Sequence, residues 1–539
     1  MGRPPPADLR GGELMVESLA DLSRTQAATI GDRVAFTFEG RDITYRDLDR
    51  AANCVANALL DDGVGQGDRV AFLDKNTVEL FELLFGAAKI GAVLCPVNWR
   101  LAPAEVAHVV NDAQASVFVV GRDFFPLLEE CEPALTSDPL ILTVGEHPAH
   151  GDFTAWCDAQ PDTDPELPTT PDDVAIQFYT SGTTGLPKGA MLTSRNLAAL
   201  VPGASETLGL DENIVSLVTM PLFHVAGAGW ALFGLMCGAH NVMLREVDLP
   251  AILEAIPQHG ITHSVFVPAV LQFLLVTPGV EDTDFSSLRM IVYGASPISE
   301  EVLVASMERF GCSFVQAYGL TETSGGVVLL HPEDHDPGGP LAHRLRAAGR
   351  PIPGVELKIV APDGTTAPTG EVGEVWIRSP STMTGYWNKP EATEAALTGD
   401  GWFRSGDAGR LDDDGYLYIE DRVKDMIISG GENVYPAEIE SVLMGHPDVA
   451  DVAVIGVPDD RWGETVKAIV VAQPGRAEDA DSRAALERDL LAWSRERLAG
   501  YKCPTSVDWA EVLPRNPSGK ILKRELREPY WAGRERQVS

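Results

Sequence analysis

The chain has 539 residues, 45% hydrophobic and 22% charged, a length that calls for several packed units and the composition of a globular protein. Acids outnumber bases, 79 to 42, giving a net charge of −37; such a field excludes a general binder of nucleic acid or anionic membrane, yet leaves room for a nucleotide in a locally positive pocket. Seven scattered cysteines include no Cys-x-x-Cys pair, which excludes a zinc spacing and is the usage of a reducing cytoplasm.

The opening stretch, Met1 to Arg24, lacks the unbroken apolar core of a secretory signal. Val70 to Leu73 is a short apolar strand, Val78 to Ile90 has helical spacing, and Ala92 to Val97 is again a strand. Ser116 to Val120, Ser264 to Val267 and Met290 to Tyr293 repeat the theme. Strands alternating with helices predict parallel sheets covered on both faces. Pro161 to Pro171, dense in Pro and Asp, reads as a surface connection. Val225 to Leu244 is uncharged and, at about 1.5 Å per residue, just long enough to cross a bilayer. Its glycines and the stop at Gly238 predict instead a buried helix followed by a strand from Asn241.

After about Gly349 the texture changes. Val355 to Val360 and Gly373 to Arg378 alternate polar and apolar around the turn at Pro362-Asp-Gly364, predicting an antiparallel sheet or small barrel. From about Asp425 a final α+β unit is expected: helix Pro436 to Met444, strands Val449 to Gly456 and Val466 to Ala472, then an acidic helix Arg483 to Leu498.

Between the apolar run Val174-Ala-Ile176 and Asn196 lies YTSGTTGLPKGAMLTSRN, starting at Tyr179. Glycines allow close backbone approach to a phosphate, hydroxyls add donors, and Lys188 adds charge. The stretch nevertheless departs from the Walker pattern, because Pro187 stands where the second Gly belongs and Gly189 follows the lysine.

This loop resembles the signature of the adenylate-forming superfamily, which includes acyl- and aryl-CoA synthetases, luciferases and peptide-synthetase adenylation domains. Five further segments match that family in order: Pro221-Leu-Phe-His224, Tyr293-Gly-Ala-Ser-Pro297, Tyr318-Gly-Leu-Thr-Glu322, Trp402 to Ala408, and Met426 to Asn433; Pro514 to Ile521 matches its C-terminal signature. The closest likeness is to bacterial fatty-acid–CoA ligases. The resemblance implies an α/β fold: a large N-terminal domain of doubly wound sheets plus a small β-barrel (1–423), then a small mobile α+β domain (424–539) pivoting at Lys424.

The resemblance also implies roles. Thr180, Ser181, Gly182, Thr183, Thr184, Gly185 and Lys188 would grip the β- and γ-phosphates of ATP as the leaving pyrophosphate. Gly294, Ala295 and Ser296 would wall the adenine and acyl sites, and Tyr318 would stack near adenine. Thr321 would bond a phosphate oxygen and Glu322 would bind Mg²⁺. Asp407 would accept from the ribose hydroxyls, with Arg422 also reaching the nucleotide. Gly430 and Gly431 would border the pantetheine channel of CoA, His224 would flank the acyl and thiol sites, and Lys520 would serve adenylation. For His224, a core or tautomer-fixed histidine is the plainer alternative. The implied activity is AMP-forming ligation of a hydrophobic carboxylic acid, a medium- or long-chain fatty acid, to CoA. Aryl or hydroxycinnamate acids, or a carrier protein as acceptor, are the alternatives. Neither a nucleic-acid partner nor a transmembrane segment is expected; peripheral membrane contact and a homodimer are left open.

Overall fold

The computed structural model describes residues 18–180, 187–422, 425–429, 432–459, 461–515 and 521–532. The alternation of strands and helices yields two mixed sheets. The first has eight strands in the order Gly385–Tyr386, Lys188–Thr193, Val174–Thr180, Val93–Pro96, Arg69–Leu73, Ala115–Gly121, Leu140–Val144, Gly151–Asp152. Its centre is parallel, and the hairpin around the phosphate-loop motif is antiparallel. Alternate residues of the central strand serve opposite faces. Val70 and Phe72 join one apolar cluster with the helices Tyr45–Asp61 and Glu79–Lys89, while Ala71 and Leu73 join another with Val106, Val109 and Val110 of Pro103–Ala113. A strand buried on both sides reads as a continuous apolar run, which is why four consecutive apolar residues identified it.

The second sheet has nine strands in the order Arg350–Pro351, Gly325–Leu330, Ser313–Leu320, Met290–Gly294, His263–Phe266, Val215–Val218, His240–Met243, Val34–Phe38, Arg41–Thr44. It repeats the two-faced pattern: Met290 and Val292 face the first cluster, Ile291 and Tyr293 a second one. Helix Val225–Met236 ends before Gly238, which takes a left-handed φ of 73°, and the strand His240–Met243 follows. Among the described residues no helix is long and apolar enough to cross a membrane.

Of the two forms expected after Gly349, the chain takes the sheet. Glu356–Val360, Gly373–Arg378, Phe403–Leu411 and Leu417–Arg422 form four antiparallel strands in that order, and the outer two do not pair with each other among the described residues. The small barrel is thereby corrected to an open sheet; four strands are too few to close a ring around packed side chains.

The C-terminal unit has its own core, with Ile427, Ile439, Leu443, Val454, Val466, Leu490 and Val507 in one cluster. Helix Pro436–Met444 has the bounds read from the sequence, and Val449–Asp459 pairs antiparallel with Gly463–Ala472. The hairpin of Ile427–Ser429 with Glu432–Val434, the strand Ser506–Trp509 and the helix Lys523–Trp531 were not foreseen. The connection around Pro161 to Pro171 is indeed superficial, but it is tied down. Asp164 accepts from Arg24 at 2.8 Å and from Lys89 at 2.6 Å, and the Lys89 side chain is fully buried.

Candidate active site

The motif residues gather at the carboxyl ends of parallel strands from both sheets, the usual place for a ligand in such folds. Thr180 ends Val174–Thr180, Gly294 ends Met290–Gly294, and Tyr318 lies near the end of Ser313–Leu320. Gly294 and Ala317 are register partners, and a Cβ on Gly294 would fall inside the contact radius of the Ala317 carbonyl oxygen, so glycine lets these two strands close. Ala295 then takes a φ of 65°, rare for a residue with a side chain, and turns the chain away before half-buried Ser296.

Thr321–Thr323 is one tight helical turn that sinks Glu322 to 8% exposure. The Tyr386 hydroxyl donates to Glu322 Oε1 at 2.8 Å, and Thr180 Oγ1 donates to the same oxygen at 3.4 Å. Oε2 accepts from none of the described residues. A buried carboxylate with one oxygen held and the other uncommitted is a hard-oxygen ligand suited to Mg²⁺, so this residue fits the metal the resemblance implies. Lys188 lies on the neighbouring strand, its Nζ over the Tyr386 ring at 5.2 Å from the centroid. Thr321 is half-buried, and its carbonyl accepts the Ser324 amide to close the turn.

Across from this cluster, the Tyr318 hydroxyl donates to Asp407 Oδ2 at 2.7 Å, joining residues 89 positions apart. Asp407 is 5% exposed, its amide bonds Ser405 Oγ at 3.0 Å, and its Cα is paired with that of Arg422 across the antiparallel ladder. Two residues assigned to opposite ends of a nucleoside are thus in direct contact.

His224 is the N-cap of Val225–Met236, its ring 4.5 Å from that of Phe223. Its Nε2 is shut off from solvent with no hydrogen-bond partner among the described residues. A tautomer-fixed structural histidine would have such a partner, so the orphaned nitrogen favours a site role. Burial, reinforced by the Arg100 charge, lowers its pKa to about 4, keeping the ring neutral near pH 7. One turn on, a Cβ on Gly229 would stand 4.0 Å from Ser324 O, so the start of this apolar helix borders the turn that carries Glu322.

Of the expected site residues, Thr180, Lys188, Glu322 and Thr321 are thus brought to one cluster, and Tyr318 and Asp407 to another, with the Arg422 backbone paired beside Asp407. Ser181, Gly182, Thr183, Thr184, Gly185, Lys424, Gly430, Gly431 and Lys520 lie outside the described residues. Tyr386 was missed. It sits on the two-residue edge strand Gly385–Tyr386, too short to show periodicity, and an aromatic pair after a glycine was the only signal.

Known proteins resemble this chain over most of its length. Residues 23–387 match the AMP-binding enzyme family and residues 438–520 the AMP-binding enzyme C-terminal domain. A fatty acid–[acyl-carrier-protein] ligase of Streptomyces coeruleorubidus is 44% identical over 93% of this chain and 94% of its own length. A long-chain-fatty-acid–CoA ligase of Mycobacterium tuberculosis is 38% identical over 94% and 97%. The crystal structure of an anthranilate CoA ligase in complex with anthranoyl-AMP superimposes with a TM-score of 0.86 at 29% identity, covering 96% of this chain and 98% of that one. With both family domains matched in order and a relative 44% identical along nearly the whole chain, the chain belongs to the AMP-binding, adenylate-forming enzymes.

Proposed function

We propose that the chain is an ATP-dependent acid–thiol ligase. It would activate a hydrophobic carboxylic acid, a medium- or long-chain fatty acid, as the acyl adenylate, then pass the acyl group to CoA with release of AMP. The observation that carries this reading is the convergence of a metal-suited carboxylate, Glu322, with Lys188 beside it, and the apolar, small-residue helix headed by His224.

In the first half-reaction a carboxylate oxygen bonds the α-phosphorus as the bond to pyrophosphate breaks. Two anions must meet, so positive charge has to be in place beforehand. Lys188, with Thr180 to Gly185, would clamp the departing pyrophosphate, and Lys520 would bridge the carboxylate and α-phosphate. Mg²⁺ held on Glu322 neutralises phosphate charge when bound. Asp407 would take the ribose hydroxyls, two donors meeting one carboxylate. His224, neutral at the head of the apolar helix, would border the carbonyl without adding charge.

In the second half-reaction the CoA sulfur bonds the acyl carbon and AMP leaves with the electron pair. We propose a boundary at 423/424 and a rotation about Lys424 that withdraws Lys520 and brings in Gly430 and Gly431. The separate apolar core of the C-terminal unit supports a body able to turn as one. The scattered cysteines and the small-molecule substrates suit the cytoplasm.

A carrier protein is the second reading for the acceptor, favoured by the 44% identity with a fatty acid–[acyl-carrier-protein] ligase. An aryl acid is the second reading for the donor, favoured by the likeness to an anthranilate CoA ligase. AMP release over straight-chain and aryl acids, with and without CoA, separates them; adenylate that CoA fails to consume overturns the CoA reading. Lys520→Ala should lower adenylation about 10²–10³-fold while thioester formation from supplied acyl-AMP survives. Equal loss of both halves would remove Lys520 from the first.

A further inference from the structure

Tyr386 meets both charged groups of the phosphate end with one side chain. Its hydroxyl donates to Glu322 Oε1 at 2.8 Å, and its ring face carries Lys188 Nζ at 5.2 Å from the centroid. Thr180 Oγ1 also turns to Oε1, so both hydroxyl donors among the described residues hold one oxygen and neither holds the other. A carboxylate can rotate about its last bond. Donors on one oxygen restrict that rotation and point the second at a fixed place.

The backbone around Tyr386 is held as firmly as its side chain. Gly385–Tyr386 pairs with Met191 and Ala190, on the strand that begins at Lys188. Thr384 N donates to Met191 O at 3.1 Å and Trp387 N to Gly189 O at 2.8 Å. Beyond them, the Trp387 indole bonds Asp112 O at 3.0 Å and Lys389 pairs with Asp112 at 2.8 Å. The ring therefore cannot drift from Lys188 without breaking the same strand pairing that places the lysine.

We propose that Tyr386 is a positioning residue for adenylation: its hydroxyl aims Glu322 at Mg²⁺ while its ring seats Lys188 toward the same phosphates. One side chain thereby sets the spacing between the metal carboxylate and the lysine on the leaving pyrophosphate. The inference rests on the reading of Glu322 as the metal carboxylate.

The test uses the full chain with Mn²⁺ as the spectroscopic probe, ATP present and no acid added. Bound Mn²⁺ is followed by electron paramagnetic resonance, and ATP affinity is measured separately at saturating metal. Tyr386→Phe removes the hydroxyl and keeps the ring. It should raise the Mn²⁺ concentration for half-saturation by about tenfold, the low end of what one lost hydrogen bond to a charged group is worth, and leave ATP affinity at saturating metal unchanged. Tyr386→Leu should show the same loss for Mn²⁺ and, in addition, weaker ATP binding that metal does not restore, because the cation–π seat is gone. Thermal melts identify any variant that fails to fold, and the Phe variant, which preserves ring volume, stands as the decisive one. Wild-type half-saturation in Tyr386→Phe overturns the proposal. So does a Phe variant that loses ATP affinity as the Leu variant does, since that is the behaviour of a packing residue. A wild-type chain that binds no Mn²⁺ in the ATP complex sinks the reading of Glu322 itself, an outcome distinct from an unchanged Phe variant.

Discussion

Gly294→Ala tests whether the site depends on how closely two strands approach. The added Cβ would stand 3.1 Å from the Ala317 carbonyl carbon and well inside the contact radius of its oxygen. Relief requires the strands Met290–Gly294 and Ser313–Leu320 to part by about 1 Å at their site ends, a backbone shift of the kind that costs about 1–3 kcal/mol. The larger effect is geometric. Ala295 and Tyr318 ride on those ends, and a misplacement of about 1 Å is worth about 100-fold in rate when reacting groups must be aligned. ATP–pyrophosphate exchange should therefore fall by about that factor in a protein that still melts cooperatively. Gly311→Ala is the control: that glycine caps a helix at φ 62° with nothing within 4 Å of a Cβ. Alanine there costs about 1 kcal/mol of backbone strain, just before the start of Ser313–Leu320 and at the opposite end of that strand from the site, and exchange should persist. Wild-type exchange in Gly294→Ala refutes the close-approach argument. Equal loss in both variants shows that instability, not geometry, is being measured.

Three further outcomes are expected. His224 has a folded pKa of about 4 against an ordinary 6.5, so the unfolded chain binds the proton more tightly. Its neutral burial is without penalty above about pH 6.5 and costs progressively more as pH falls towards 4, about 3 kcal/mol in all; His224→Gln should flatten that part of the urea-midpoint profile, and a slope unchanged by the substitution would refute the assignment. Lys89→Met leaves Asp49 and Asp164 without the ammonium that lies 2.8 and 2.6 Å from them. The large domain should lose about 3–5 kcal/mol in urea while exchange activity at 25 °C stays, the cost being that of breaking a buried pair from one side. Lys523 contacts Asp421 at 3.5 Å and Glu440 at 2.9 Å; burial opposes its charge, but these acids more than offset that and raise its pKa. Since Arg527 also pairs with Asp425 at 2.8 Å, the last helix is tied on both sides of the proposed pivot. Lys523→Met should speed amide exchange in Lys523–Trp531, and unchanged protection there would show that the tie carries no weight.

What the sequence by itself determined was local. The two-faced strands, the break in periodicity near Gly349 and the small domain's helix Pro436–Met444 follow from runs of side chains that prefer one backbone and one face, and each was legible from its own neighbours. The motif residues were legible too, as words in a set order, though not as a geometry. Tertiary structure alone decided that Tyr318 bonds Asp407, that Asp164 anchors a connection read as merely superficial, and that the sheet after Gly349 stays open. It also supplied Tyr386, whose hydroxyl reaches a carboxylate 64 positions away from a strand of two residues. The strand Ser506–Trp509 belongs with these, since four residues become a strand only by pairing with Gly463–Ala472. Contacts of this kind are made when distant segments close upon one another, and closure leaves no periodicity in the residues that meet.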